Sequence, residues 1–414
     1  METDTFSIIV IGGGPAGLFC AANIGVPDGK ILVLEKKQFC GRKLLITGSG
    51  QCNLTHEGEI RTFLSHYGDN GQFLKPSLMN FTNRDLVTFF TERGLLVETE
   101  PGGKIFPTSR KATDILDLLL KECSARSVIV HNNEPVSDIH KTERGFRILT
   151  DSGEYQSDMV VIATGGMTYP VTGSTGDGFR FSENLGHPVT DTGPALTSVN
   201  IKDNPFSDLS GISFADLSIS IFRNGKKVRQ HIGDLLFTHT GLSGPGILDF
   251  SRFIRAGDTL KISFLPGVDP QNVKETLIER IAAAGNRQVK TVLAGYYLPE
   301  RVTRRLLEIA GIDQDLTGAH LSKKDRTTLI DLLTACPVEV SKLGGADEAM
   351  VTRGGASITD INPKTMESRV VPGLFFVGEV LDIDGDTGGY NLQAAFSTGV
   401  LAAKKITAYF QSSE

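Results

Sequence analysis

The chain contains no tryptophan, and its five cysteines, Cys20, Cys40, Cys52, Cys123 and Cys336, are scattered, odd in number and without a CxxC pair. That excludes a disulfide framework or a cysteine zinc site and suits a reducing cytoplasm. The eight histidines also lack metal-ligand spacing, so no metal is expected. No apolar run is long enough to span a bilayer, and no basic segment followed by a cleavable apolar stretch opens the sequence. A cytoplasmic protein without a membrane partner is expected. Blocks of Lys and Arg are missing too. A net charge of −6 argues against a general binder of phosphate backbones, though not against a local basic patch. No nucleic-acid partner is expected on this ground. What remains is an ordinary globular composition, 40% hydrophobic and 22% charged, over 414 residues, enough for two or three domains.

The organising stretch is Ile8-Ile-Val-Ile-Gly-Gly-Gly-Pro-Ala-Gly17. Residues 8–11 read as a buried parallel strand, Gly12-x-Gly14-x-x-Gly17 as a turn, and residues 18–24 as an apolar helix. Strand, glycine turn and helix in that order are the context a dinucleotide fingerprint needs. Gly12 permits the turn, Gly14 lets backbone approach a pyrophosphate, and Gly17 lets helix and strand pack closely. The helix N-terminus offers free N–H groups to phosphates. A second strand over 30–34 ends at Glu35, eighteen positions after Gly17, near the spacing of the acid that binds a ribose 2′-OH. A carboxylate there disfavours a 2′-phosphate.

Arg42 and Lys43 read equally well as anion contacts and as solvated surface cations. Cys52 and Asn53 sit among small residues where a flat ligand can approach, although a buried structural role is commoner for Cys52. The spacing predicts helices over 83–93 and 113–123. Strands over 128–130, 136–140 and 146–150 suggest a three-stranded antiparallel excursion on the parallel sheet. Met159-Val-Val-Ile-Ala-Thr-Gly-Gly166 is a further buried strand ending in glycines, which places Gly165 and Gly166, with Ala163 and Thr164 before them, over the same ligand. Asp177 reads as a helix cap or a ligand contact.

From about 192 to 350 the pattern changes to an inserted region, β-rich to about 266 and helical from about 267. Asn224-Gly225 signals a hairpin, Pro245 a helix start, and Asp269-Pro270 a cap and first helical residue. The first domain, 1–191, then resumes over 351–414 with Gly373-Leu-Phe-Phe-Val-Gly-Glu379, a third glycine-ended strand. Asp382, Asp384 and Asp386 follow, but Asn391 stands where a calcium loop needs Glu, so that loop is rejected. A nicotinamide dehydrogenase has no need of this distant strand and the helix after Gly389. FAD does, since its ribityl chain and ring extend beyond the pyrophosphate. Glu379 suits ribityl hydroxyls, and a helix N-terminus near Asn391 suits the anionic reduced flavin, by about 0.3–1 kcal/mol.

Several segments resemble the BaiN-like, aminoacetone-oxidase-like family of FAD-binding flavoproteins. They are the glycine turn with Glu35, Gly41-Arg-Lys-Leu-Leu-Ile-Thr-Gly-Ser-Gly-Gln-Cys-Asn-Leu-Thr55, Lys104-Ile-Phe-Pro107, Ala163-Thr-Gly-Gly166, Phe237-Thr-His-Thr-Gly-Leu-Ser-Gly-Pro245, Gly378-Glu-Val-Leu-Asp-Ile-Asp-Gly385 and Thr387-Gly-Gly-Tyr-Asn-Leu392. The resemblance covers nearly the whole chain. It implies an α/β fold, a two-part Rossmann-like FAD domain interrupted by a β-barrel-like and helical insertion. It also implies noncovalent FAD along Gly12, Gly14, Pro15, Ala16, Gly17, Glu35 and Lys36, with residues 42–53 near the flavin. Val136 would flank the adenine, and Gly378, Glu379, Asn391, Leu392 and Gln393 the flavin end. Gln51 departs from the Arg expected in many relatives.

These readings point to an FAD-dependent oxidoreductase passing a hydride through flavin N5. The donor would be NAD(P)H or a small organic substrate, and the acceptor a second substrate or O₂. Family members are assigned as reductases of unsaturated steroid-like acids or as amine oxidases. The competing readings are a flavoprotein acting on RNA and an NAD-only dehydrogenase. Lys226, Lys227 and Arg229, and Arg301, Arg304 and Arg305, form two small basic clusters, which solvated faces explain simply. No catalytic acid or base is assigned. Cys52 and Tyr169 are candidates by type, and His239 reads as structural.

Overall fold

The computed structural model describes residues 4–26, 31–265 and 270–412, leaving aside the side chains of 270–274. Lys30 and Asp269, read above as a strand start and a helix cap, lie outside the described residues. The chain forms two compact units, Met1–Ala195 with Ala349–Glu414, and Leu196–Glu348. Residues 192–195 and 349–350, placed in the insertion by the sequence pattern, fall in the first unit.

The first unit opens with β1 (Asp4–Ile11), α1 (Pro15–Asn23) and β2 (Ile31–Leu34). Helices α2 (Asn83–Glu92) and α3 (Ala112–Ala125) follow, then strands β3 (Ile129–His131), β4 (Val136–Thr142), β5 (Gly145–Thr150) and β6 (Glu154–Ile162). Thr82 and Asp85 close the start of α2 as a reciprocal capping box. The main sheet runs β3-β2-β1-β6-β5-β4. β1 lies parallel to both β2 and β6, with Ile11 level with Leu34 and Ile162. Every residue of β2 is buried, as expected for a parallel strand covered on both faces.

The antiparallel excursion differs from the sequence reading. β3 pairs parallel with β2, and the third antiparallel strand is the first half of β6 itself. An isolated apolar triplet carries no mark of strand direction. Helix α4 (Asp177–Asn184) and strand β7 (Gly193–Ala195) complete this part.

The second unit is a closed barrel with helices packed on it. Its strands are β8 (Val199–Ile201), β9 (Ser213–Arg223), β10 (Lys226–Phe237) and β11 (Gly241–Ser243), then, after α5 (Pro245–Phe250), β12 (Thr259–Ser263). Helices α6 (Pro270–Ala282), α7 (Val289–Ala294), α8 (Glu300–Ala310) and α9 (Lys323–Ala335) lead to β13 (Cys336–Leu343). The barrel closes in the order β8-β11-β10-β9-β12-β13. Asn224 and Gly225 both have positive φ, the backbone a tight I′ hairpin between right-twisted strands requires.

The return segment adds β14 (Val351–Arg353) antiparallel to β7, and β15 (Leu374–Phe376) parallel to the second half of β6. It ends in α10 (Tyr390–Gln411). α10 packs on α1 through small residues, and a Cβ on Gly399 would lie 2.9 Å from the Ala16 carbonyl oxygen. No helix among the described residues is long and apolar enough to cross a membrane.

Phe19 on α1 is fully buried and meets Phe89 and Phe396 edge-on at 4.7 and 4.8 Å. It therefore ties α1 to α2 and α10. Phe19→Ala is expected to destabilise the first unit by about 3–5 kcal/mol, through lost burial and the cavity left behind. Urea unfolding followed by circular dichroism measures this, and a loss below about 1 kcal/mol would remove Phe19 from that role.

Candidate cofactor site

Parallel strands in one register leave their carboxyl ends on one edge of the sheet, and the turns that follow them meet there. Gly12, Gly14, Pro15 and Ala16 after β1, Glu35 after β2, Ala163 to Gly165 after β6 and Gly378-Glu379 after β15 all border one cleft of the first unit, with about 1360 Å³ of space free of protein atoms, the open solvent at its mouth included.

The three glycines of the turn do different work. Gly12 has φ +110°, and a Cβ there would lie 2.5 Å from the Ala163 carbonyl oxygen. Gly17 lies outside the cleft lining, and a Cβ on it would strike the Gly12 carbonyl oxygen at 2.1 Å. It packs helix on turn. Gly14 borders the cleft, and a Cβ there would meet no protein atom within 4 Å. This leaves open space beside a helix N-terminus.

Two helices begin at the cleft, α1 at Pro15 and α10 at Tyr390. Neither has a side-chain cap or an acid in its first turn. Each follows a glycine, Gly14 or Gly389, that has no side chain to cap it, and their positive dipole ends border the cleft. Pro15 suits the first position of α1, since it has no N–H to satisfy.

Glu35 is held by backbone. Its Oε2 accepts from the Gly13 N–H at 2.9 Å and its Oε1 from the Lys37 N–H at 2.8 Å. A carboxylate has about four lone-pair sites, so acceptor capacity remains for ribose hydroxyls. Burial pushes the Glu35 carboxyl above its ordinary value, against the lowering pull of the Lys37 and Gly13 N–H groups and of the Lys36 and Lys37 charges. Lys36 reaches Asp177 and Thr175, each at 2.5 Å. Asp177 thus starts α4 after Gly176 and pairs with a cation rather than capping the helix.

At the other end of the cleft, Lys43 donates to both oxygens of Glu379, at 2.9 and 2.8 Å, and to Thr168 Oγ1 at 2.8 Å. Glu379 Oε1 also accepts from the Thr352 N–H at 2.9 Å. The ammonium read as a candidate anion contact is therefore committed to a carboxylate. Glu379 keeps acceptor capacity mainly on Oε2. The pair joins the loops that follow β2, β6 and β15, with β14 as a fourth attachment. Arg42 borders the cleft, with its guanidinium 5.3 Å from the Phe39 ring. Val136, Thr164 and Leu392 border it as well.

Cys52, Asn53 and Gln393 do not line the cleft, and each has an internal reason. Cys52 is fully buried, and burial pushes its thiol up to about 12, so it is no nucleophile at neutral pH. With its nitrogen facing the two carbonyls, the Asn53 amide donates to Thr55 O (3.0 Å) and Ile105 O (3.2 Å), and it accepts from the Gly389 N–H. It holds the start of α10 from behind. Gln393, fully buried, accepts from the Thr55 hydroxyl at 2.7 Å and donates to Phe81 O and Ser397. Asn391 borders the cleft, but its amide is spent on Gly385, accepting its N–H at 2.8 Å and donating to its carbonyl at 2.9 Å. Tyr169 is half-buried outside the lining, and His239 lies exposed in the second unit.

Sequence reasoning missed Met350, Val351 and Glu134, all on the cleft. The first two lie where the pattern reads as insertion or its edge. The paired glycines Gly354-Gly355 just beyond them are the one signal of a resumed turn. Glu134 accepts from the Ser152 hydroxyl at 2.8 Å.

The sequence pattern described as the HI0933-like protein Rossmann domain matches residues 6–405. A ribosomal RNA dihydrouridine synthase of Escherichia coli is 33% identical over 407 residues, 98% of this chain and 99% of that protein. A 3-dehydro-bile acid delta(4,6)-reductase of Clostridium scindens is 30% identical over 403 residues, 95% and 97%. In fold, the chain is similar to a 3-ketosteroid-delta4-(5alpha)-dehydrogenase of Rhodococcus jostii, with a TM-score of 0.50, 16% identity, and 98% of each chain covered.

Three substitutions test the site. Because the Glu35 carboxyl is raised in the folded state, the folded chain keeps a proton the unfolded chain has released. Stability of the nucleotide-free protein therefore falls as pH rises from the ordinary Glu value, about 4.3, through the raised one. Glu35→Gln is expected to flatten that fall in thermal melts, and an unchanged slope would refute the assignment. Lys43→Met leaves the Glu379 carboxylate without its cation and is expected to cost about 1–3 kcal/mol. Adding Glu379→Gln should return part of the loss in a double-mutant cycle.

Proposed function

Because the chain belongs to the HI0933-like family of flavin-dependent oxidoreductases, we propose that it is an FAD-dependent reductase of a carbon–carbon double bond conjugated to a carbonyl, acting on the uracil ring of RNA. The observation that carries the cofactor is the cleft. It has two uncapped helix starts, an open cradle at Gly14, and a carboxylate after the second strand with acceptor capacity to spare. This donor and acceptor set fits FAD: phosphates at α1, ribose at Glu35, and the anionic flavin edge at α10. Bound there, FAD would supply the hydride donor, and NADH or NADPH is proposed as the reductant.

The reaction class follows from what the relatives' names share. Saturating uridine to dihydrouridine and reducing a 3-dehydro-Δ4,6 acid both add two hydrogens across a C=C bond next to a carbonyl. An amine oxidase or an NAD-only dehydrogenase explains neither. This chain's own residues hold the cofactor, with the Lys43–Glu379 pair fixing the loops around its far end and α10 presenting N–H groups there. Uracil is preferred to a steroid-like acid because two ribosomal RNA dihydrouridine synthases, of Escherichia coli and Haemophilus influenzae, are 33% and 32% identical to this chain, against 30% for the bile acid reductase.

The test is anaerobic. Purified protein should absorb near about 450 nm, bleach with NADPH or NADH, and recover its colour with RNA lacking dihydrouridine. Nucleoside mass spectrometry should then find dihydrouridine. Recovery with a 3-oxo-Δ4 bile acid and not with RNA would reassign the substrate. Folded protein that neither carries nor takes up FAD would end the proposal.

A further inference from the structure

Glu134 lies in the connection from β3 to β4, borders the cleft, and is only 8% exposed. Its Oε2 accepts from the Ser152 hydroxyl at 2.8 Å. Its Oε1 is buried and has no hydrogen-bond partner. Among the described residues, Glu134 is the one residue on the cleft with such an orphaned side-chain atom. Native folds rarely keep a buried acceptor without a donor, because the group has given up water and gained nothing in return. The hydroxyl of nearby Tyr155 is already engaged, 3.2 Å from His131 Nδ1. Burial, with the charges of Glu134 and Asp4 adding to it, pushes that phenol above its ordinary value, so it keeps its proton.

Backbone fixes where Glu134 stands. Three bonds of 2.9 Å stitch its loop to the segment after β2: Glu35 N–H to His131 O, Asn133 N–H to Lys37 O, and Glu134 N–H to Glu35 O. Asn133 makes the turn at φ +56°, a conformation Asn tolerates better than most residues. Glu134 is thereby held against the main chain of Glu35, the carboxylate proposed for the ribose. Next to this pair in the chain, Leu34 and Val136 border the cleft with apolar side chains.

In a dinucleotide the base lies beyond the ribose, on the side away from the pyrophosphate. Adenine has apolar faces and carries a 6-amino donor on its edge. Apolar walls beside an acceptor that lacks a donor suit that shape. We propose that Glu134 selects the adenine of the cofactor, its Oε1 accepting a hydrogen bond from the 6-amino group. This rests on the reading of the cleft as an FAD site, and it adds which side chain reads the base. Hypoxanthine has an oxygen at the same place, so its lone pairs would face the carboxylate. A site built to meet a donor rejects an analogue that lacks it, since the buried acceptor then stays unpaired.

The test is a competition on the FAD-loaded full chain. It is equilibrated with an equal mixture of FAD and flavin hypoxanthine dinucleotide, in which oxygen replaces the 6-amino group. Gel filtration removes free dinucleotide, and liquid chromatography counts what stays bound. The parent is expected to hold FAD over the analogue by about tenfold or more. Glu134→Gln, whose amide offers either an N–H or an oxygen, is expected to lower that preference by about tenfold. Ser152→Ala, at an exposed hairpin position, releases Oε2 and is expected to shift the ratio in the same direction, and it keeps the test open if Glu134→Gln does not fold. Thermal melts check the fold of each variant. The ratio is the readout that a merely structural role would not move. A preference unchanged in the folded variants, or loss of both dinucleotides in equal proportion, overturns the proposal. A parent that holds both dinucleotides alike also overturns it and leaves the FAD site standing. A parent that holds neither removes the FAD reading itself, and this assignment with it.

Discussion

The molecule depends on the register of one strand. β1 lies between β2 and β6, parallel to both, and Ile11 is level with Leu34 on one side and Ile162 on the other. β15 then joins β6 with Phe376 level with Ile162. Four strands thus end within about a residue of one another, and the chain must turn at the same edge four times. Gly12, Glu35, Ala163 and Gly378 share a cleft for that reason. A slip of one residue would turn every buried side chain of β1 to the opposite face, so the packing of the sheet enforces the geometry of the site.

That constraint also explains what can be read in advance. Strands covered on both faces appear as unbroken apolar runs, and a glycine after each run marks the turn at its carboxyl end. Pairing is different, because it depends on residues far along the chain. The triplet at β3 reads as antiparallel in the sequence, since nothing local reveals its partner β2. The cleft lining shows the same limit. Asn391, Ala394, Ala395 and Thr398 form one stripe of α10 facing the cleft, while Gln393, turned about 100° per residue from its neighbours, points into the core and bonds Thr55. Membership of a motif places a residue near a ligand, and helical phase decides whether it faces one. Cys52 and Asn53 follow a similar rule in a loop, where the backbone turns them inward.

Charge pairing is the least legible property. Lys43 and Glu379 are 336 positions apart, and each taken alone suggests a ligand contact. Together they form an internal pair that leaves Glu379 with part of its acceptor capacity. Arg304 and Arg305 read as a basic cluster in the sequence, yet Glu300, Glu308 and Asp208 pair with them. Neutralisation of this kind depends on three-dimensional neighbours.

The cofactor site and the choice of substrate are therefore separate physical problems in this chain. In the proposed reading, helix N-termini, a glycine turn and one carboxylate meet phosphate and ribose, groups common to every dinucleotide, so they cannot tell a nucleobase from a steroid. The bond reduced does not separate them either, because a uracil ring and a 3-oxo-Δ4 acid offer the same polarised C=C. Discrimination has to come from the body attached to that bond. A polyanion of regularly spaced phosphates is recognised by fixed cations on a surface, while a compact apolar acid needs an enclosing pocket.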